Sequence, residues 1–262
     1  MRQAIRGALW AVMVVGIVMA SPISVRAADS TEANTRTARF DFSLRGFRAG
    51  ILTFSGEVQA GRYHVTGELR SSGIVRLVRN VSYRAESHGI VASGRFTPAL
   101  YIETADTGKR QSQATMAYRD GVPQLKSYVP ARAPRPGDVD PVTQGGTLDP
   151  LTALYAVLRD VPRDQVCRFD RFMFDGRRRS SLRLYPPTQP KGIAAPTKGT
   201  NGADKIICTG EYRRLQGFSD KEMAQKQSFV FQLTYAPIGS GQMQVVEVLI
   251  DSLYGPAALT RR

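Results

Sequence analysis

Hydrophobic and polar residues alternate along most of the chain from residue 38 onward. In RFDFSLRGFRAGILTFSGEV, Phe40, Phe42 and Leu44 share one face of a two-residue period. Arg45 to Gly50 supply a bend, Leu52 and Phe54 resume the period, and the spacing predicts a hairpin. QAGRYHVTGELR continues it, with Tyr63, Val65 and Leu69 on one side and Arg62, His64, Thr66 and Glu68 on the other. The polar second side predicts a sheet with one face toward water or a wet cavity. Turn signals recur near Gly89, Gly108, Gly121, Gly176 and Gly241, each between runs rich in Val, Ile, Phe, Tyr or Thr. The clearest cases are RFMFDGRRRSSLRLY, where Asp175-Gly176 suits a tight two-residue turn, and SFVFQLTYAPIGSGQMQVVEVLIDSLY, two strands around Gly239 to Gly241. This punctuation predicts a mainly β fold, an antiparallel meander. So many strands favour a sheet curled into a barrel or half-barrel over a flat one.

Three segments break the rhythm. Residues 128–146, YVPARAPRPGDVDPVTQGG, are too rich in proline for an interior strand. Residues 186–204 carry almost no large apolar side chains and are expected to form a mobile surface loop. Between them, LDPLTALYAVLRDVP has the marks of one short helix. Asp149 is the N-cap, Pro150 occupies the first helical position where its missing N–H costs nothing, and Pro162 forbids continuation. Leu151, Leu154, Tyr155 and Leu158 form an apolar stripe, so the helix is expected to pack on the sheet or plug one end of a barrel. The glycines ahead of it raise the question of an anion site, but the Asp149 carboxylate would occupy the free N–H groups and repel an anion.

The N-terminus adds an address. Arg2 and Arg6 precede thirteen uncharged residues, Ala8 to Ala20, and Val25-Arg26-Ala27 fits a signal-peptidase site. At helical rise that run spans about 20 Å, short of a hydrocarbon core of about 30 Å. The expected organisation is a cleaved signal peptide at 1–27, a disordered stretch at 28–37 and a single β-rich domain at 38–262, in the periplasm, with no transmembrane segment after cleavage. Formal charge falls from +14 to +11 when the leader's three arginines are removed. So basic a chain is drawn to anionic surfaces. Export makes nucleic acid an unlikely partner and points instead to lipopolysaccharide, anionic phospholipid or an acidic protein.

Candidate chemistry is sparse. Cys167 and Cys208 are the only cysteines, and in an exported chain their wide spacing reads as a disulfide rather than a redox pair. Closing a loop of about 41 residues contributes roughly 4 kcal/mol on the chain-entropy model. The two histidines, His64 and His88, lie outside any zinc motif, no G-x-S-x-G elbow is present, and no metal site or cofactor is expected. Asp106-Thr107-Gly108 matches the aspartic-protease tripeptide, but it lacks a second copy and a hydrophobic strand before it, so a hairpin turn is the expectation. Asp138 and Asp140 lack the spacing of a calcium loop and read as solvated loop residues. Arg177, Arg178 and Arg179 form the densest positive cluster. On a strand, Arg177 and Arg179 would share a face, either protecting a hairpin edge or gripping phosphate on a lipid head.

FDFSLRGFRAG, GRFTPALY, TQGGTLDPLTALYAVLRDVP, FDGRRRSSLRLY, CTGEYRRLQGF and LYGPAALTRR together resemble a family of exported Gram-negative bacterial proteins known only as a domain of unknown function, DUF3108. The resemblance implies a β-rich periplasmic protein, assigns no reaction and transfers no catalytic residue. The expected function is a non-enzymatic envelope protein whose curved sheet offers a groove for a lipid or other amphiphile. The alternatives are an interaction module holding an envelope protein through strand edges, and a hydrolase built from carboxylates gathered in space.

Overall fold

The computed structural model describes residues 35–73, 76, 80–133, 135, 137–186, 204–239 and 241–262. The expected signal peptide, most of the stretch at 28–37 and nearly all of the loop at 186–204 lie outside the described residues. Fourteen strands follow the alternation: β1 (Arg36–Leu44), β2 (Phe47–Gln59), β3 (Arg62–Ser71), β4 (Ser82–Ala92), β5 (Arg95–Asp106), β6 (Gln111–Arg119), β7 (Val122–Val129), β8 (Val161–Pro162), β9 (Asp170–Phe174), β10 (Arg179–Tyr185), β11 (Ile206–Gln216), β12 (Ser228–Pro237), β13 (Gln242–Ser252) and β14 (Gly255–Arg261). Helix α1 spans Pro150–Leu158 and helix α2 spans Asp220–Gln225.

The strands form one antiparallel sheet in the order β7-β6-β5-β4-β3-β2-β1-β14-β13-β12-β11-β10-β9, with β8 added beside the start of β13. The meander runs outward from the centre in both directions, because the first strand pairs with the last: Phe40 lies opposite Arg261 and Leu44 opposite Ala257. The sheet curls without closing. Between its two edges runs the segment from Val139 to Leu148. Its Val139 N–H donates to the Arg177 carbonyl and its Gly146 N–H to the Gly121 carbonyl; Leu148 exchanges bonds with the Phe172 carbonyl and the Phe174 N–H of β9. This is where the proline- and glycine-rich stretch belongs: it is a seam between strands rather than a strand of the ladder.

Helix α1 starts and stops where its residues dictate. Asp149 accepts from the Thr152 N–H, Pro150 follows, and Arg159 ends the helix in extended backbone. The apolar stripe is wider than the sequence period implies. Leu151, Tyr155 and Leu158 are buried, but so are Thr152, Ala153 and Val157, because the helix lies inside the curl and meets sheet on more than one side. Tyr155 stands edge-on to Phe54 at 6.0 Å and to Phe96 at 5.8 Å between ring centroids, contacts worth about 0.5–1.5 kcal/mol each beyond burial. Two glycines make room for the helix. A methyl at Gly56 would fall 2.1 Å from the Tyr155 ring, and one at Gly67 would fall 2.6 Å from Leu151.

Local geometry corrects four expectations. The turn expected near Gly89 is a bulge inside β4, and the chain reverses at Ser93-Gly94 instead. The bend drawn at Arg45 to Gly50 is only the two residues Arg45 and Gly46, both at positive φ, and Phe47 already belongs to β2. Asp175-Gly176 is not a two-residue turn. Phe174 pairs with Arg179, leaving a four-residue loop, because the Asp175 carboxylate accepts from the Arg177 and Arg178 N–H groups and draws both out of the strand. The expectation of one helix omits α2, whose Ser219 and Glu222 form a reciprocal capping box. Cys167 and Cys208 are joined with Cα atoms 5.4 Å apart, tying the segment before β9 to β11.

Candidate functional site

The curl holds one closed polar cluster and, among its open cavities, one whose lining is mostly apolar. The closed one surrounds Asp149, which is fully buried. One carboxylate oxygen accepts from the Thr152 N–H at 2.8 Å; the other accepts from the Thr152 hydroxyl at 2.6 Å and the Ser87 hydroxyl at 2.9 Å. The Tyr63 hydroxyl stands 2.9 Å from that of Thr152. Burial pushes the Asp149 carboxyl up, and the bonds from Thr152 and Ser87 pull part of the way back. A serine beside a carboxylate invites a catalytic reading. Ser87 and Thr152 are as inaccessible as Asp149, and His88 points to the opposite, exposed face of β4. The cluster anchors the start of α1 to β3 and β4.

The mostly apolar cavity is a groove between α1 and the inner face of β10 to β14, with a volume of about 400 Å³. Alternation aims the side chains: Phe229, Phe231 and Leu233 from β12, Val248 and Ile250 from β13, Leu259 from β14 and Leu182 from β10 form the wall. Leu154 and Val157 of α1 form the floor. Leu154, expected in the core stripe, is the partly exposed one. The mouth is cationic and aromatic. Arg178 lies over the Phe218 ring at 4.9 Å, Arg214 lies over Phe229 at 4.9 Å and Phe218 at 5.3 Å, and Lys226 lies over Phe229 at 5.2 Å. Glu222 pairs with Arg178 at 2.9 Å, and Asp251 pairs with Lys226 at 2.7 Å. The Ser219 N–H, with help from Arg178 and Arg214, holds the Glu222 carboxyl below the usual range despite its partial burial. Three cations thus meet two carboxylates, and among the described residues the Arg214 side chain donates only to the carbonyls of Glu222 and Lys226. The groove surface is thus apolar along the wall and cationic at the mouth.

The arginine cluster is divided rather than gathered. Arg177 turns to Asp138 at 3.2 Å, Arg178 to the groove mouth, and Arg179 stacks on Phe172 at 4.3 Å while bonding the Gln144 side chain at 3.0 Å. The expectation that Arg177 and Arg179 share a strand face is therefore corrected: Arg177 lies in the loop that Asp175 folds, and only Arg179 enters β10. Arg179 shields an exposed aromatic on the edge strand β9.

Asp138 and Asp140 line a cavity of about 550 Å³ together with Glu103 and Asp175, yet both are engaged. Asp138 binds Arg132 and the Arg135 N–H, whereas Asp140 caps the 3-10 turn Pro141–Thr143. Asp106 accepts from the Gly108 N–H at 2.7 Å, in a hairpin turn. His64 faces His88 across β3 and β4 on the exposed side and contacts Glu86 at 2.9 Å. Among the described residues no three His, Cys, Asp or Glu side chains are grouped to hold a metal, and no helix is long and apolar enough to cross a membrane.

Comparison with known proteins gives two matches. The model of a family described as "Protein of unknown function (DUF3108)" matches residues 39–198. A solved structure, the beta-barrel-like protein of domain of unknown function DUF1849 from Brucella abortus, aligns over 86% of this chain and 95% of its own, at 13% identity and a TM-score of 0.45. No curated protein matches.

Proposed function

Since the chain belongs to the DUF3108 family, whose function is unknown, its role has to be argued from its own side chains, and we propose that it binds a single-chain anionic amphiphile in the groove between α1 and β10–β14. The observation that carries this reading is the partition of the groove surface. Its wall and floor are aliphatic and aromatic, and its charged side chains, Arg178 and Arg214, stand at the mouth on aromatic rings. The volume of about 400 Å³ falls within the roughly 300–1,000 Å³ usual for small-ligand pockets. The tail of a fatty acid or lysolipid would lie against the partly exposed Leu154, Leu182, Phe229 and Ile250, and its head would meet Arg214. The expected periplasmic address and the envelope role belong to the same proposal, as does binding without catalysis.

The rival reading, capture of a protein partner by strand addition, has less to work with at β9, because Leu148 already uses the Phe172 carbonyl and the Phe174 N–H. The carboxylate-hydrolase reading has acids in one cavity, but each is already engaged: Glu103 by Tyr101, Asp138 by Arg132 and Arg177, and Asp140 and Asp175 by backbone N–H groups of their own turns.

Titration with a fluorescent fatty acid tests the proposal. The wild-type chain should take up the probe. Leu154→Trp, which fills the floor from a partly exposed position, should weaken uptake by about tenfold or more, because one displaced apolar side chain of this size is worth about 1.5–3 kcal/mol. Arg214→Gln should weaken the anionic probe more than its alcohol analogue. No saturable uptake by the wild type, or equal uptake by Leu154→Trp, overturns the reading.

A further inference from the structure

The two most exposed large hydrophobic side chains in the described structure are Phe47, 72% exposed, and Tyr254, 70% exposed. Neither belongs to the groove. They occupy two hairpin tips that topology makes neighbours: Phe47 follows the β1–β2 turn, Tyr254 lies in the β13–β14 turn, and β1 pairs with β14. Antiparallel order also places these tips at the same end of the curl as the β9–β10 loop that carries Arg178 and the β11–β12 connection that carries Phe218. The aromatic tips and the groove mouth therefore point the same way.

The tips are fastened to each other. The Arg45 N–H donates to the Pro256 carbonyl at 2.7 Å, and Arg45 Nε donates to the Tyr254 carbonyl. Both turns are two residues long, and Ser252 braces the second through the Gly255 carbonyl and the Tyr254 N–H. The aromatic rings thus stand on a rigid platform, so little ordering entropy opposes their use.

The charge around them is positive. Asp41 is shared by Arg48 and Arg262, so that trio keeps one net positive charge, while Asp251, opposite Pro256 beside the second tip, is balanced by Lys226. Arg45 adds another, with no carboxylate partner among the described residues. An exposed Phe and Tyr projecting from a rigid, arginine-surrounded end match an anionic bilayer: rings enter the headgroup level while guanidinium groups hold phosphates. An acidic protein would answer the charge equally; it is the two rings projecting together from one end, suited to headgroup depth, that favour the bilayer.

We infer that this end of the molecule docks on anionic phospholipid surfaces through Phe47, Tyr254 and Arg45, placing the groove mouth against the membrane. The groove's occupant then exchanges with the bilayer over a short path. That last step rests on the amphiphile reading above; the docking itself does not.

Vesicle co-sedimentation of the full chain tests it. The wild type should partition strongly to vesicles containing about 30% phosphatidylglycerol, weakly to pure phosphatidylcholine, and less as salt rises. The F47S/Y254S variant should lose about tenfold or more of that partitioning while keeping the wild-type melting temperature and probe uptake. In a W10F background, F47W should place its sole indole at the tip and shift its emission to the blue on phosphatidylglycerol vesicles. The groove variant Leu154→Trp should still sediment with vesicles. Equal partitioning by wild type and F47S/Y254S, or no wild-type binding at low salt, overturns the docking surface. Loss of binding in Leu154→Trp with the tip variant unaffected overturns it too, and leaves the groove reading standing.

Discussion

Replacing Asp149 with leucine is expected to destabilise the fold by about 3–5 kcal/mol, measured as a lower urea midpoint at unchanged slope. Loss of an N-cap alone costs up to about 2 kcal/mol. The rest comes from setting an apolar side chain among buried hydroxyls: those of Thr152 and Ser87 lose the carboxylate and keep only each other, Tyr63 and the Leu100 carbonyl, a part of the about 1–3 kcal/mol that a buried group left wholly unpaired costs. Asp149→Asn is a different experiment. Its carbonyl oxygen still caps Thr152, and both hydroxyls can rotate to accept from its amide, so the cost at neutral pH should stay within about 1 kcal/mol. The two variants separate cap from charge. Because burial raises the Asp149 carboxyl in the folded state, the folded chain holds this proton more tightly than the unfolded one. Its contribution is fully present below the ordinary carboxylate range and is lost as pH rises through the raised value. Wild type should therefore gain stability relative to Asp149→Asn as pH falls through that window. A difference between the two that does not change with pH would contradict it.

The second large effect is expected at Gly56. Its Cβ position falls 2.1 Å from Tyr155 Cε2, 2.5 Å from Cζ and 2.8 Å from the hydroxyl, so valine there must push the ring off the sheet. Overpacking of this kind costs about 1–3 kcal/mol, occasionally more, and this site should lie near 3 kcal/mol. Tyr155→Leu removes the clash along with two edge-on aromatic contacts. In the double variant the two losses should fall short of additive by about 2 kcal/mol, read from urea midpoints of the four proteins. Additive losses would show that Gly56 is needed for something other than the approach of the helix.

How much of this was legible depended on whether the signal was local. The strands from Phe40 to Val65 follow from alternation, and α1 follows from Asp149, Pro150 and Pro162, because each residue acts on its own backbone or the next turn. Two widely spaced cysteines in a chain expected to be exported sufficed for the disulfide. The seam was hidden: Gly145 to Leu148 reads as polar loop, and only their bonds to Gly121, Phe172 and Phe174 give them a place. The groove was hidden for a related reason. Alternation in Phe229, Phe231 and Leu233 shows that one face is apolar, but whether that face is filled depends on how far α1 reaches across the curl. Gly56 and Gly67, mid-strand glycines without turn chemistry around them, were the available hint of a helix pressed close. Arg178 differed from its neighbours only through Asp175, whose side chain reshaped the turn.

The pairing of Phe40 with Arg261 and of Leu44 with Ala257 has a kinetic side. The ladder at the middle of the sheet joins the first and last of the described strands, so it requires the longest closure among the strand pairs described. Hairpins such as β2–β3 or β12–β13 need only neighbouring residues and can assemble early as two separate ribbons. Until β14 has emerged, the inner margin of β1 has no neighbour and presents bare N–H and carbonyl groups, the kind of template on which chains misassociate. A chain cut short before Gly255 would lose the splice between the two ribbons as well as one strand.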